Sequence, residues 1–187
     1  MRYPLVSVIM SVYGEKPEYI HLAINSILSQ SYPRIEFIIV NDHPDSKLKS
    51  ELSDYVKEFE SIIVVNNKEN IGLAASLNRA IGLSSGDYIA RMDADDVSLE
   101  NRIDKQLSYL NKEGYDLVGS FIERIDSKGN GLGVSVVPSD VDKLKKLLPY
   151  ATIAFHPTWF GKSEVFKSIM YNPIFITSQD YEFLHRA

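Results

Sequence analysis

Three aspartates, Asp93, Asp95 and Asp96, crowd into four positions directly behind the apolar run Asp87–Met92 (DYIARM). Side chains at i and i+2 of an extended chain share a side, so the spacing predicts that Asp93 and Asp95 point together, with Ala94 opposite. Close carboxylates repel one another unless positive charge sits beside them. A hard divalent cation, Mg²⁺ or Mn²⁺, is the natural partner of such oxygen ligands, and it often shares substrate phosphates, so one or two protein carboxylates suffice. The same residues also suit a solvated turn in which Asp96 or Ser98 caps the next helix. A bare D-x-D favours that turn; its position at a strand end brings the ligand reading level with it.

Other polar residues also follow apolar runs. Asn41-Asp42 follows IEFIIV directly. There Asp42 suits accepting from a base N–H or a ribose hydroxyl, and equally an Asx turn before Pro44. Tyr13 suits stacking on a nucleobase or ordinary rim packing. Asn70-Ile71-Gly72 precedes a helical pattern whose N-terminus offers backbone N–H groups to an anion, or is simply capped there. Arg79, one to two turns further on, reaches a phosphate or base, or is solvated.

The elements that must position these residues alternate. Leu5–Val12, Ile35–Val40, Ser61–Val65 and Asp87–Met92 are apolar and read as buried strands. Between them run helical stripes: Pro17 opening a helix through Ile20, Ala23, Ile24, Ile27 and Leu28; then Leu48, Leu52, Tyr55, Val56 and Phe59; then Leu73, Leu77, Ala80 and Ile81. A fourth helix, N-capped by Ser98, carries Leu99, Ile103, Leu107 and Leu110. The alternation predicts an α/β fold with a doubly wound, mainly parallel sheet. Such sheets bind ligands at the carboxyl ends of their strands, so Tyr13–Glu15, Asn41–Asp45, Asn66–Gly72 and Asp93–Asp96 should line one edge. After Gly114 the pattern becomes mixed: strands over Leu117–Ile125, Gly133–Val137 and Thr158–Gly161, and short helices over Val141–Leu148 and Ser163–Ile169.

Composition narrows the chemistry. With 187 residues, 44% of them hydrophobic, the chain suits a single domain with a sizeable core. A net charge of −5 argues against nucleic acid as a partner, though not against an anion held through a metal. The absence of cysteine excludes disulfides and thiolate chemistry and fits a reducing cytoplasm. No run approaches the roughly 18 apolar residues of a spanning helix, and the apolar run behind Met1-Arg2-Tyr3-Pro4 is too short for a signal peptide.

The segments VSVIMSVYGE, FIIVNDHPDS, NKENIGLAASLNRAIGLSSGDYIARMDADD, FHPTWFGKSEVF and SQDYEFLHR, in that order, resemble glycosyltransferase family 2, inverting enzymes of the GT-A fold that use nucleotide sugars. The stretch Asn70–Asp96 carries the most specific part of the likeness. The resemblance implies that Tyr13 and Glu15 line the base and that Asp42 hydrogen-bonds it. By the same resemblance Asn70, Gly72 and Arg79 close over the nucleotide. Asp93 binds the ribose or assists the metal, Asp95 ligates an Mn²⁺ or Mg²⁺ bridging the phosphates, and Asp180 is the general base. His156 is a possible contact to donor or acceptor; a packed, hydrogen-bonded histidine is the more frequent arrangement. A UDP-sugar donor, a glycan or lipid-linked acceptor and a role in cell-surface polysaccharide assembly follow from the family alone.

Several positions depart from the family pattern. Asn41 replaces the more usual first Asp, His43-Pro44 the usual Gly-Ser, and Gln179 the usual Glu beside the base. Gln179 keeps open a non-catalytic nucleotide-sugar-binding domain. A sugar-nucleotide pyrophosphorylase would need a glycine-rich basic loop where SVYGE stands, and a phospho-acceptor signalling domain would need its Asp pair after the first strand. Against the family, residues 1–113 correspond to a nucleotide-binding half and 114–187 to the acceptor and base half. The continuation that relatives carry beyond this point, with peripheral attachment to the inner membrane face, is expected to follow Ala187.

Overall fold

The computed structural model describes residues 3–44 and 46–187; Met1, Arg2 and Asp45, the last ending one of the expected edge segments, lie outside the described residues. Four β–α units come first. Strands β1 (Val6–Val12), β2 (Ile35–Asn41), β3 (Ile62–Asn66) and β4 (Tyr88–Asp93) alternate with helices α1 (Pro17–Leu28), α2 (Ser46–Glu58), α3 (Leu73–Leu83) and α4 (Arg102–Glu113). Pro17 sits at the first turn of α1, where its missing N–H has no intrahelical partner to lose. Gly114 closes α4 in the left-handed conformation, φ 71°.

The main sheet runs β3-β2-β1-β4-β8-β5. Strands β1 to β4 are parallel; β8 (Phe160–Lys162) is antiparallel to both β4 and β5 (Leu117–Val118). Strand order reverses between β1 and β4, which makes their carboxyl ends the place where an open sheet leaves a crevice. A separate hairpin pairs β6 (Ile122–Ile125) with β7 (Gly131–Ser135). Helices α5 (Val141–Leu147), α6 (Ser163–Ile169) and α7 (Gln179–Arg186), with a 3-10 turn over His156–Thr158, complete the chain.

Both sheet faces are covered, which is why the strands read as continuous apolar runs. Val8, Met10, Phe37, Ile39, Ala90 and Met92 pack with α1, α2 and α4. Ile9, Ile38, Val40 and Ile89 pack with α3, α6, α7 and Trp159. No helix among the described residues is long and apolar enough to cross a membrane.

Two expected boundaries move. The stretch 117–125 is not one strand: it breaks at Gly119-Ser120-Phe121, leaving β5 in the main sheet and β6 in the hairpin. A Cβ on Gly119 would lie 3.0 Å from the Ala154 side chain and 3.2 Å from Thr158 Oγ1, so the chain turns where the 154–158 segment presses on it. Ser98 does not cap α4, which starts at Arg102 with no side-chain cap, and Leu99 is exposed. Ser98 is instead buried against α1, its N–H donating to Ser26 Oγ at 3.0 Å.

Candidate active site

The in-register ends of the parallel strands bring three of the four polar segments into line: Val12 pairs with Asn41, Asn41 with Asn66, and Ser11 with Asp93. This alignment lets Asn41 Nδ2 donate to Asn66 Oδ1 at 2.9 Å across β2 and β3.

Asp42, next along, is 2% exposed. Its Oδ1 accepts from Asn67 Nδ2 at 2.7 Å and from the Ile71 N–H at 2.9 Å; its Oδ2 accepts from the Gly72 N–H at 2.8 Å. The backbone N–H groups before α3, expected to be open to an anion, are therefore already held by an internal carboxylate, an arrangement that the positive end of a helix favours. Gly72 adopts φ 85°, a left-handed value that glycine takes without steric penalty. Asn70 Oδ1 accepts from the same Gly72 N–H at 2.9 Å, which is the capping role open to it. Arg79 Nη1 reaches back to Asn67 Oδ1 and, at 3.4 Å, the Asn66 carbonyl. Asn67 bonds Asp42 and Ser76 through its amide and Arg79 through its carbonyl, so it links all three. Nothing local in the sequence singles Asn67 out.

On the other side of this edge Tyr13 is half-exposed and its ring lies 5.4 Å from that of His43. Glu15 Oε2 accepts from the Tyr13 N–H at 2.8 Å. A polar cavity of about 300 Å³ opens beside these residues, lined by Asn41, His43, Asn66 and Asn67 among others. A larger cavity, about 660 Å³, is mainly apolar, lies between Tyr109, Leu117, Val137, Leu144 and Ile153, and contains none of the candidate residues.

The acid cluster differs from the expected geometry. Extended backbone ends at Asp93; Ala94 and Asp95 form a turn, so the alternation that would set Asp93 and Asp95 side by side stops one residue too soon. Asp93 is ion-paired to the buried Arg91 two residues back on the same strand face. Asp95 is exposed. Burial and then the charges of Asp93 and Asp95 push the Asp96 carboxyl up to about 6, with Arg91 and Arg102 pulling the other way. Among the described residues, no group of three or more His, Asp or Glu side chains could enclose a metal unaided. The donor set nevertheless fits a cation that takes the rest of its ligands from phosphate, because Asp93 and Asp95 offer hard oxygens only.

Asp180 sits in the first turn of α7, two residues after Ser178, whose left-handed φ of 59° makes the sharp turn into the helix. Thr152 Oγ1 donates to Asp180 Oδ2 at 3.3 Å. Tyr171, which follows α6, is buried against His156 and Phe183. Burial raises its phenol; Arg91 acts the opposite way, and Asp180 and Asp93 raise it further, so both acids lie within electrostatic reach of one ring. Asn78 of α3 clamps the Tyr171 backbone from both sides, donating to its carbonyl and accepting from its N–H at 2.7 Å each.

His156 belongs to the interior. Its Nε2 is 2.7 Å from the Tyr171 hydroxyl and its ring meets Trp159 edge-on at 4.7 Å. Burial, then the Arg91 charge, holds its pKa well below 6.5, so it is neutral near pH 7. The structure thus gives it a packed, hydrogen-bonded position.

The same chain matches known proteins. The model of glycosyl transferase family 2 fits residues 7–170. An uncharacterised glycosyltransferase of Methanocaldococcus jannaschii is 37% identical over 192 residues, covering 100% of this chain and 66% of its own length. The O-antigen biosynthesis glycosyltransferase WbnJ of Escherichia coli is 33% identical over 162 residues, 86% of this chain and 63% of its own. This chain therefore spans two thirds or less of these relatives. In three dimensions it resembles the mannosyltransferase PcManGT of Pyrobaculum calidifontis in complex with GDP-Man and Mn²⁺, with a TM-score of 0.75 at 19% identity over 99% of this chain and 52% of that one. It also resembles S. aureus TarS in complex with UDP, with a TM-score of 0.71 at 19% identity over 96% and 53%. At that identity the likeness speaks for the fold alone, and the fold is GT-A. With the family model spanning most of its length and a relative matched over all of this chain at 37% identity, the chain belongs to glycosyltransferase family 2.

Proposed function

We propose that this chain forms the donor-binding and base-bearing part of an enzyme that transfers a sugar from a nucleoside diphosphate, most simply UDP, to a hydroxyl of a glycan or lipid-linked acceptor, with inversion. The observation that supports this reading is the register that ends β2, β3 and β4 together, setting Asn41, Asn66 and Asp93 along one edge, with the loop before α3 held by Asp42. Residues 1–113 take the nucleotide and 114–187 supply the base and part of the acceptor side. The names of WbnJ, PcManGT and TarS support polysaccharide assembly, a nucleotide-sugar donor and a divalent cation. A cytoplasmic location at the inner membrane face would follow from a lipid-linked acceptor.

In this reading Tyr13 and Glu15 border the base, and the loop that Asp42, Asn67 and Arg79 brace carries Asn70 and Gly72 over the nucleotide. Asp93 and Asp95 hold Mn²⁺ or Mg²⁺, which when bound neutralises charge on the departing diphosphate. The acceptor oxygen attacks the anomeric carbon, forming the new C–O bond as the bond to the diphosphate oxygen breaks. Asp180 takes the hydroxyl proton. Attack on the face opposite the leaving group inverts the centre with no covalent enzyme intermediate.

A panel of nucleotide sugars tested by thermal shift with and without Mn²⁺ would identify the donor. A stabilising donor whose slow hydrolysis then releases nucleoside diphosphate supports an enzyme; stabilisation without turnover across the panel would favour a binding domain.

A further inference from the structure

We propose that Arg91 is a positioning residue of this site: its guanidinium fixes the Asp93 carboxylate in the orientation that donor binding uses. The proposal rests on the donor-binding role of Asp93 above.

Strand alternation places Ile89, Arg91 and Asp93 on one face of β4. Their neighbours on that face are Ile9, Ile38, Val40 and Trp159, all fully buried. Arg91 is 2% exposed and stands among the largest buried side chains of the protein. Burying a guanidinium among apolar groups is unfavourable unless every nitrogen is matched. Here Nη2 contacts Asp93, whereas Nε and Nη1 have no hydrogen-bond partner among the described residues. An arginine kept only for stability would be poorly spent in such a place, because well-packed apolar residues generally do as well or better.

The backbone makes this side chain a strut. The Arg91 N–H donates to the Trp159 carbonyl at 2.8 Å. The Arg91 carbonyl accepts from Arg102 Nη2 at 2.7 Å, and Arg102 Nε is held in turn by Gln106 Oε1 at 2.9 Å. Gln106 closes the brace by donating to the Thr158 carbonyl at 2.7 Å. The root of Arg91 is thus pinned from the 3-10 turn on one side and α4 on the other. Asp93, by contrast, is partly exposed and lies where the strand gives way to a turn. Of the three acids, Asp93 is the one ion-paired among the described residues, so its partner decides where it points.

A double-mutant cycle on the full chain tests this, reading UDP affinity in the presence of Mn²⁺ by calorimetry, with unfolding midpoints measured alongside. Asp93→Asn and Arg91→Lys, which keeps the charge but loses the planar fork, are each expected to weaken binding by about 10–100-fold, the usual loss when a partner of a ligating group is removed. The double variant is expected to match Asp93→Asn alone, because Arg91 acts only through Asp93. Additive losses, or wild-type affinity in Arg91→Lys while Asp93→Asn is impaired, would overturn the proposal. If the lysine variant does not fold, Arg91→Gln, which keeps an amide NH2 donor but no charge, completes the same cycle. Failure of the wild type itself to bind UDP with Mn²⁺ would instead count against the donor assignment, so the two failures are separable.

Discussion

Asp42 and Gly72 are joined at 2.8 Å, the carboxylate at the end of β2 accepting from the N–H at the start of α3. With the Ile71 N–H and Asn67 amide on its other oxygen, Asp42 ties the second strand to the loop after the third. Its first task is therefore to shape the loop that a nucleotide would meet, and any contact to a base comes on top of that.

Asp42→Ala is expected to leave the Ile71 N–H without its acceptor and to remove one of the two acceptors of the Gly72 N–H and of the Asn67 amide, which keep Asn70 and Ser76. Unsatisfied buried donors of this kind cost about 1–3 kcal/mol. Urea unfolding should show a loss of that size together with weaker UDP binding. Unchanged stability with lost binding would mean that Asp42 serves the ligand alone.

Glu36 contributes to the acid limb of stability. Burial by itself would raise its pKa, but hydrogen bonds from Ser7, Ser85 and Gly86 outweigh this and hold it below 4.5. A carboxyl lowered in the folded state stabilises above its unfolded pKa and loses that contribution as pH falls through the folded value. Glu36→Gln should therefore be less stable than wild type at neutral pH, with the gap closing as pH falls below 4.5. A gap that is constant with pH would contradict the assignment.

Tyr171→Phe removes the hydroxyl partner of His156 Nε2. It should lower stability by about 1–2 kcal/mol and leave UDP affinity unchanged. An equally strong loss of affinity would move His156 from the interior into donor contact.

Asp180→Asn should abolish sugar transfer while leaving nucleotide affinity nearly intact, since the amide keeps the shape but takes no proton. A large loss of affinity would make Asp180 a binding residue.

The first four β–α units are legible in the sequence because both sheet faces are covered: IEFIIV and VSVIMSV have little choice but to be buried strands, and Ile20, Ala23, Ile24 and Ile27 of α1 occupy one stripe that is indeed buried. Position along the edge follows from parallel pairing, so Asn41, Asn66 and Asp93 end in register, and Arg79 is linked to Asp42 through Asn67. What escapes the sequence is set by distant contacts. The start of α4 depends on Ser98 meeting Ser26 and Gln30 of the first helical unit. The end of β4 depends on a turn that local alternation does not register. Arg91 reads as one residue of a strand, and only the fold reveals that it is buried beside Asp93. Val56 belongs to the helical stripe of α2 yet is 42% exposed, because β3 is the edge strand and leaves that side of the helix uncovered.

The central claim, a cation-assisted nucleotide site at the β1/β4 crevice, is tested most directly by calorimetric titration of UDP into the wild-type chain and Asp95→Ala, each with Mn²⁺ and with chelator. Binding by the wild type only when Mn²⁺ is present, lost in Asp95→Ala, is the expected result. Equal binding with chelator, or binding that survives Asp95→Ala, would contradict it.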